Sequence, residues 1–258
     1  MEKIVIQNRK GQKVVVVVDH VEQPKGLAFF MHGFSGTKDE RHTIAFATVF
    51  REKGFTTVRF DTTNTLGESD GRLEDATVTS SFEDLEDVIA WAKTCEWYRE
   101  PFVLVGHSMG GMGVILFAER HPEQVSALAP ISTLVSGYLN LEARERHNPG
   151  SVEAWQKTGW IEEKSISRGI IKRLPWSHAK DKLKYDLIPE GKKLTMPVLL
   201  IVGEKDTSAP PDHVKQLYDV LPGRKDMFVI PDSDHNFLVP HTLEKAQEAL
   251  GEWIDTLS

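Results

Sequence analysis

Short runs of apolar, β-branched and aromatic residues alternate along the chain with longer segments whose apolar residues recur at helical spacing. The short runs predict eight β-strands, and the amphipathic segments predict the helices that connect them. The predicted strands are residues 4–7, 13–20, 27–31, 56–60, 102–105, 125–129, 198–202 and 227–230. This alternation favours an α/β fold with a mostly parallel sheet and an antiparallel start at the turn Arg9-Lys10-Gly11.

Four helices follow from the same pattern and from their end signals. They are predicted over residues 44–53, from about 80 to 94, over 109–120 and over 243–256. Ser80 or Ser81 is the expected N-cap of the second helix, because a hydroxyl there accepts a hydrogen bond from a free amide.

Residues 132–195 break this alternation, because they are polar and contain no clear core strand. A loop of that length without its own structure is uncommon in a compact domain. We therefore expect a small helical cap, inserted between the sixth and seventh strands of the sheet. The predicted organisation is a core of residues 1–131 and 196–258 with a cap of residues 132–195.

Composition narrows the class of protein further. The 258 residues carry a formal net charge of −7, which disfavours a nucleic-acid partner, since phosphate binding needs a basic face. The longest aliphatic run, residues 14–18, is too short to span a bilayer, and no signal peptide is visible at the N-terminus. The single cysteine, Cys95, excludes an internal disulfide. We expect a cytoplasmic protein without integral membrane association.

The pentapeptide Gly106-His107-Ser108-Met109-Gly110 lies between a predicted strand and a predicted helix. This is the setting of a G-x-S-x-G nucleophile elbow, in which a serine sits on a tight, strained turn. The glycines at 106 and 110 fit this turn, because the strained backbone leaves no room for side chains at those two positions. We therefore predict that Ser108 is a catalytic nucleophile.

A serine hydroxyl needs a general base, and the base needs an orienting acid. After a nucleophile elbow these follow in the order acid, then histidine. His235 comes directly after the last predicted strand, where open α/β sheets place ligands, and is the predicted base. His213 and His241 fall near the starts of helices and are disfavoured.

Asp206 follows the predicted strand 198–202 and is the expected acid. Glu204, two residues closer to the strand, and Asp234, next to the histidine, are the rivals. The oxyanion of acyl transfer needs two backbone donors. We expect the amide of Met109 and, from the loop after the strand 27–31, the amide of Phe34.

Together these residues resemble the serine α/β-hydrolase superfamily over nearly the whole chain. The resemblance implies the α/β-hydrolase fold, a mostly parallel eight-stranded sheet flanked by helices with an inserted helical cap. The matching stretches are Phe30-Met31-His32-Gly33-Phe34, Arg59-Phe60-Asp61, Gly67-Glu68-Ser69-Asp70-Gly71, Gly106-His107-Ser108-Met109-Gly110-Gly111, Leu200-Ile201-Val202-Gly203-Glu204-Lys205-Asp206 and Asp234-His235.

Within the superfamily, the chain looks most like small bacterial carboxylesterases of the feruloyl or cinnamoyl type and their monoacylglycerol-lipase-like relatives. The closer match is carried by the His-Gly-Phe-Ser-Gly stretch at residues 32–36 and by Tyr185-Asp186-Leu187 at the end of the cap. Two departures stand out. Thr62-Thr63-Asn64-Thr65-Leu66 replaces an aromatic-Arg-Gly-His-Gly loop, and Met109 stands where cinnamoyl-type relatives often carry glutamine.

The resemblance implies a serine carboxylesterase that hydrolyses short-to-medium acyl or aromatic acyl esters through an acyl-enzyme intermediate. Competing interpretations are a serine peptidase or aminopeptidase-like hydrolase, a perhydrolase, a C–C bond hydrolase and a non-catalytic ligand-binding homologue. A dehalogenase is disfavoured because its nucleophile would be an aspartate in place of Ser108. Trp155, Trp160 and Trp176 could line the acyl pocket or pack the cap's own core.

We expect no metal and no cofactor, since the sequence contains neither a Cys/His cluster nor an H-E-x-x-H motif. The expected partner is a small-molecule ester, and a homodimer is left open.

Overall fold

One large sheet and one small hairpin account for the strands of residues 1–165 and 169–257, the part of the chain that the computed structural model describes. Residues 166–168 of the predicted cap and Ser258 lie outside this part. The strands are β1 (Glu2–Gln7), β2 (Lys13–Asp19), β3 (Gly26–Met31), β4 (Phe55–Phe60), β5 (Phe102–His107), β6 (Val125–Ile131), β7 (Trp160–Ser165), β8 (Ile170–Pro175), β9 (Val198–Gly203) and β10 (Lys225–Ile230).

The helices connect these strands and build the cap. They are α1 (Arg41–Glu52), α2 (Val78–Ala92), α3 (Met109–Arg120), α4 (Gly137–His147), α5 (Ser151–Thr158), α6 (Trp176–Lys182), α7 (Pro211–Val220) and α8 (Thr242–Asp255). Among the described helices, none has the length and apolar character that a bilayer crossing requires.

The large sheet has the strand order β1-β2-β4-β3-β5-β6-β9-β10. β1 pairs with β2, and β2 with β4, in antiparallel fashion, and the remaining pairs are parallel. All eight predicted strands are present in this sheet. The predicted α/β-hydrolase fold, with a mostly parallel eight-stranded sheet, is therefore confirmed.

The sheet is covered on both faces, which explains its near-continuous apolar strands. In β3, Leu27 and Phe29 pack into a core layer with α2, α3 and α7, whereas Ala28 and Phe30 point into a second layer with α1 and α8. Because successive side chains point to opposite faces, each strand contributes to both layers.

Helix α2 begins earlier than the sequence predicts. Thr77, and neither Ser80 nor Ser81, is its N-cap. The Ser80 amide donates to the Thr77 hydroxyl oxygen over 2.9 Å, and the Thr77 amide donates to the Ser80 hydroxyl oxygen over 3.1 Å. This reciprocal capping box satisfies two amides and lets the buried Val78 join the first turn.

The cap elements lie between β6 and β9, at the carboxyl end of the sheet. They comprise α4, α5, the antiparallel hairpin β7–β8 and α6, packed around an apolar cluster of Leu141, Trp155, Leu174 and Ala179. The sequence predicts helices here but not the hairpin.

The two ends of the cap meet in a short antiparallel bridge between Ser136 and Asp186. The Gly137 amide donates to the Tyr185 carbonyl oxygen over 2.9 Å, and the Leu187 amide donates to the Val135 carbonyl oxygen over 3.0 Å. The chain therefore leaves the core and returns to it at adjacent points.

Candidate active site

Ser108 occupies the turn between β5 and α3 with a φ of 56° and a ψ of −119°, a strained conformation for a residue with a side chain. Glycines make the turn possible. A Cβ at Gly106 would lie 2.3 Å from the Gly110 carbonyl oxygen, and a Cβ at Gly110 would lie 2.3 Å from the Met31 carbonyl oxygen. The sequence therefore forms the turn only with glycine on both sides of the serine.

The structure brings the three predicted triad residues together. The His235 Nε2 lies 2.8 Å from the Ser108 Oγ, and its Nδ1 lies 2.7 Å from the Asp206 Oδ2. The Asp206 carboxylate is fully buried. With Nδ1–H donating to the carboxylate, Nε2 is left as the acceptor of the serine proton, the arrangement that general-base activation requires.

The surroundings of Asp206 hold its carboxylate in place. Its Oδ1 accepts hydrogen bonds from the amides of Ser208 and Ala209 over 2.9 and 2.8 Å, which leaves Oδ2 for the histidine. The rival Glu204 is exposed and accepts from the Asp232 amide.

The other disfavoured candidates also have local partners. Asp234 accepts from the amides of Asn236 and Leu238 in its own turn. His213 is buried beside Arg146, and His241 precedes α8.

The two predicted oxyanion donors lie on either side of the serine. Met109 is the first residue of α3, so its amide has no intrahelical acceptor. On the other side, a Cβ at Gly33 would lie 2.9 Å from the Ser108 Cβ, which places the loop after β3 directly against the nucleophile.

His32 fixes the direction of the Phe34 amide. Its Nδ1–H donates to the Gly33 carbonyl oxygen over 2.7 Å, while its Nε2 accepts from the Thr62 amide over 3.0 Å. In a planar trans peptide, the Gly33 carbonyl and the Phe34 N–H point in opposite directions. Holding the carbonyl therefore also aims the N–H.

A cavity of about 420 Å³ opens beside Ser108, between the carboxyl end of the sheet and the cap. This volume lies within the range of small-molecule sites. Of the three predicted tryptophans, Trp155 lines the cavity, and its indole N–H donates to the Leu174 carbonyl oxygen over 3.1 Å.

The other two tryptophans lie outside the described cavity lining. Trp176 packs edge-to-face on Trp155, with 5.3 Å between ring centroids. Trp160 is 43% exposed and stacks under the Arg173 guanidinium. The structure thus brings one of the three predicted substrate-binding residues to the site.

The family model of serine aminopeptidase S33 matches residues 22–158, slightly more than half of the chain. The chain belongs to this family of α/β-hydrolases. The match includes the nucleophile elbow. A second model, that of the PhoPQ-activated pathogenicity-related proteins, matches residues 92–256 and includes Ser108, Asp206 and His235.

Individual relatives of this S33-family hydrolase are distant but match along most of their length. An uncharacterised 31.7 kDa protein from the traX-finO intergenic region of Escherichia coli is 27% identical over 239 residues, 81% of this chain and 82% of that protein. The mitochondrial palmitoyl-protein thioesterase ABHD10 of Bos taurus is 25% identical over 230 residues, 89% of this chain and 73% of that protein.

Among solved structures, Est1E from Butyrivibrio proteoclasticus with bound ferulic acid has a TM-score of 0.83 at 24% identity, and the match covers 98% of both chains. At this identity the likeness shows the shared fold.

His107 is a residue of this S33-family site that the sequence analysis missed. Its Nε2–H donates to the His235 carbonyl oxygen over 2.8 Å, and its ring lies 4.2 Å from the ring of His42. Burial lowers the pKa of His107 well below 6.5, so the ring is a neutral donor. The signal in the sequence is a histidine at the variable position of the elbow, directly before the nucleophile.

His178 links the cap of the S33-family hydrolase to the oxyanion loop. Its Nδ1–H donates to the Ala76 carbonyl oxygen over 2.8 Å, and its ring lies 4.7 Å from the ring of Phe34. Burial, together with the positive charge of Lys182, lowers the pKa of His178 from 6.5 to about 4. The ring is therefore neutral at pH 7 and stays mostly neutral until the pH falls to about 4.

This shift predicts a pH dependence of stability. Between about pH 6.5 and pH 4 the unfolded chain binds a proton at His178 that the folded chain does not, so the free energy of unfolding falls with falling pH. The expected slope from this group approaches about 1.4 kcal/mol per pH unit. His178→Gln can still donate to Ala76 but does not titrate, so urea unfolding should show a shallower pH profile. Parallel profiles for the two proteins would contradict the prediction.

Proposed function

We propose that this chain is a serine esterase that hydrolyses short-to-medium acyl or aromatic acyl esters through an acyl-enzyme intermediate. The observation that carries the proposal is the continuous hydrogen-bonded line from Asp206 through His235 to Ser108, at the floor of a cavity of about 420 Å³. The named relatives support ester and thioester substrates, since one is a thioesterase and another was solved with ferulic acid.

In the proposed mechanism, His235 accepts the Ser108 proton while the hydroxyl oxygen attacks the ester carbonyl. The amides of Phe34 and Met109 stabilise the negative oxygen of the tetrahedral intermediate. His235 then returns the proton to the leaving alcohol, and water, activated by the same ring, hydrolyses the acyl-enzyme. Asp206 holds the imidazole tautomer throughout.

A panel of p-nitrophenyl esters with acetyl, butyryl, octanoyl and palmitoyl groups, together with methyl ferulate and an aminoacyl p-nitroanilide, tests the proposal. We expect the highest kcat/KM with the butyryl and octanoyl esters, in line with the short-to-medium acyl preference proposed above. Mass spectrometry after fluorophosphonate treatment should place the adduct on Ser108.

Cleavage of the anilide without ester cleavage would favour a peptidase. A folded protein that turns over none of these substrates would favour the non-catalytic homologue. The cytoplasmic location stays a prediction.

A further inference from the structure

The cavity beside Ser108 is cationic, although the whole chain carries a net charge of −7. Its lining contains four cationic side chains and two carboxylates. The cations are Arg41, Arg144, Lys172 and Lys182, and the carboxylates are Glu40 and Glu163. In an acidic protein, positive charge concentrated at the substrate site indicates selection for a negative ligand group.

Most of these cations already have partners. Arg144 forms an ion pair with Glu163, and the Lys172 Nζ lies 3.8 Å from the second carboxylate oxygen of the same residue. Arg41 donates to the Phe237 carbonyl oxygen. One carboxylate on the cap therefore compensates two neighbouring cations.

Lys182 differs from Arg144 and Lys172 in having no carboxylate partner, and from the exposed Arg41 in being buried. It is 8% exposed, and its Nζ donates to the neutral Asn140 Oδ1 over 2.7 Å, with no carboxylate within 4.0 Å in the described part of the chain. An ammonium group has three donors, and a buried charge without a counter-ion is costly. Burial lowers the pKa of Lys182 only to about 8, so the side chain is still mostly charged at pH 7.

Resting on the esterase function proposed above, we propose that the preferred substrate carries a carboxylate in addition to its ester bond, and that this carboxylate binds the Lys182 ammonium inside the cavity. The bound anion supplies a directly hydrogen-bonded counter-ion, which no carboxylate of the described residues provides. Lys172 points to the same region, since its Nζ lies 5.3 Å from the centroid of the Phe34 ring, on the loop that faces the nucleophile. The cationic group and the reacting carbonyl therefore share one cavity.

The carboxylate can belong to either half of the ester. It can end the acyl chain, as in a monoester of a dicarboxylic acid, or it can belong to the alcohol. Both sources present the same chemistry to Lys182, and the substrates can separate them. The acyl pair is mono-4-nitrophenyl adipate against 4-nitrophenyl hexanoate, and the alcohol pair is 4-acetoxybenzoate against phenyl acetate.

Lys182 also has a structural contact, because its partner Asn140 donates to the Ser208 carbonyl oxygen beside the catalytic acid. A lysine that only positioned this loop would change the hydrolysis of charged and neutral esters alike. The decisive quantity is therefore the ratio of kcat/KM for the carboxylate ester to that for its neutral counterpart.

The experiment measures this ratio at pH 7 for the wild type, Lys182→Met and Lys180→Met. Lys180 is exposed on the same helix, so its replacement makes the same chemical change outside the cavity. We expect the wild type to favour the carboxylate ester in one pair by about tenfold or more, since hydrogen bonds to charged groups reach this size. The preference should be lost in Lys182→Met and kept in Lys180→Met. Equal preference in all three proteins would overturn the inference.

Calorimetric titration with adipate and with its neutral diamide gives a readout that needs neither turnover nor a variant. Tighter binding of adipate to the wild type by about tenfold or more supports the anion site, and equal binding rejects it. Adipate binding without ester turnover would reject the esterase function but keep the anion site. Ester turnover without any preference for the carboxylate would reject the anion site but keep the esterase function.

Discussion

Replacing Ser108 with alanine should lower kcat for the preferred ester by about 10⁴-fold or more, because the variant has no nucleophile for His235 to activate. The remaining rate would come from the oxyanion donors and from substrate binding. The fold should persist. Alanine must adopt the same positive φ as serine, and among the described residues the one side-chain hydrogen bond lost is that to His235.

Ser132→Ala is a matched control for this variant. Ser132 is also buried and has a φ of 44°, and its hydroxyl has no hydrogen-bond partner among the described residues. We expect its kcat to stay within about threefold of the wild type, in line with a position outside the site. Thermal unfolding of both variants checks that the chain is folded. Ester hydrolysis at the wild-type rate in folded Ser108→Ala would overturn the nucleophile assignment.

Replacing Asp206 with asparagine should lower kcat by about 10⁴-fold, as expected when the base is held in the wrong tautomer. The amides of Ser208 and Ala209 would keep the asparagine oxygen on their side. Its NH₂ group would then face His235 and donate to Nδ1. The ring proton would move to Nε2, where it faces Ser108 and cannot accept the serine proton.

Glu204→Gln provides the comparison, because it makes the same chemical change on an exposed side chain that accepts from the Asp232 amide. Its kcat should fall by less than about threefold. Steady-state kinetics on both variants decide the assignment. A mild effect of Asp206→Asn together with a severe effect of Glu204→Gln would move the acid to residue 204.

The sheet could be predicted from the sequence because its strands are buried on both faces. Runs such as 102–105 and 198–202 are apolar without interruption. Such a run is typical of a strand in a parallel sheet that is covered on both faces. The three predicted triad positions come from a chemical rule, the chain order after a nucleophile elbow, combined with the ends of these strands.

The hairpin β7–β8 could not be predicted in the same way. Its sequences Trp-Ile-Glu-Glu-Lys-Ser and Ile-Ile-Lys-Arg-Leu-Pro carry pairs of charged residues at their centres, and in β8 only Leu174 is buried. Because such a strand buries only one side chain in a small core, its sequence shows no clear alternation of apolar and polar residues. The structure of such a segment depends on the elements packed against it.

The cationic character of the cavity was also hidden in the sequence. Helix α6 buries His178, Ala179, Asp181 and Lys182, a helical spacing made mainly of polar residues. Hydrophobic periodicity therefore does not detect the buried face of α6, because it counts only apolar side chains. Nothing in the sequence distinguishes the buried Lys182 from the exposed Lys180.

The antiparallel bridge between Ser136 and Asp186 has a consequence for how substrate specificity can change during evolution. The outgoing and returning segments are joined by main-chain hydrogen bonds, so a different segment inserted between them would leave the strands that precede the predicted triad residues connected as they are. The cap residues that line the cavity and the predicted triad residues are thereby encoded in separate stretches of the gene. Recombination or laboratory grafting at this junction could alter one and leave the other intact.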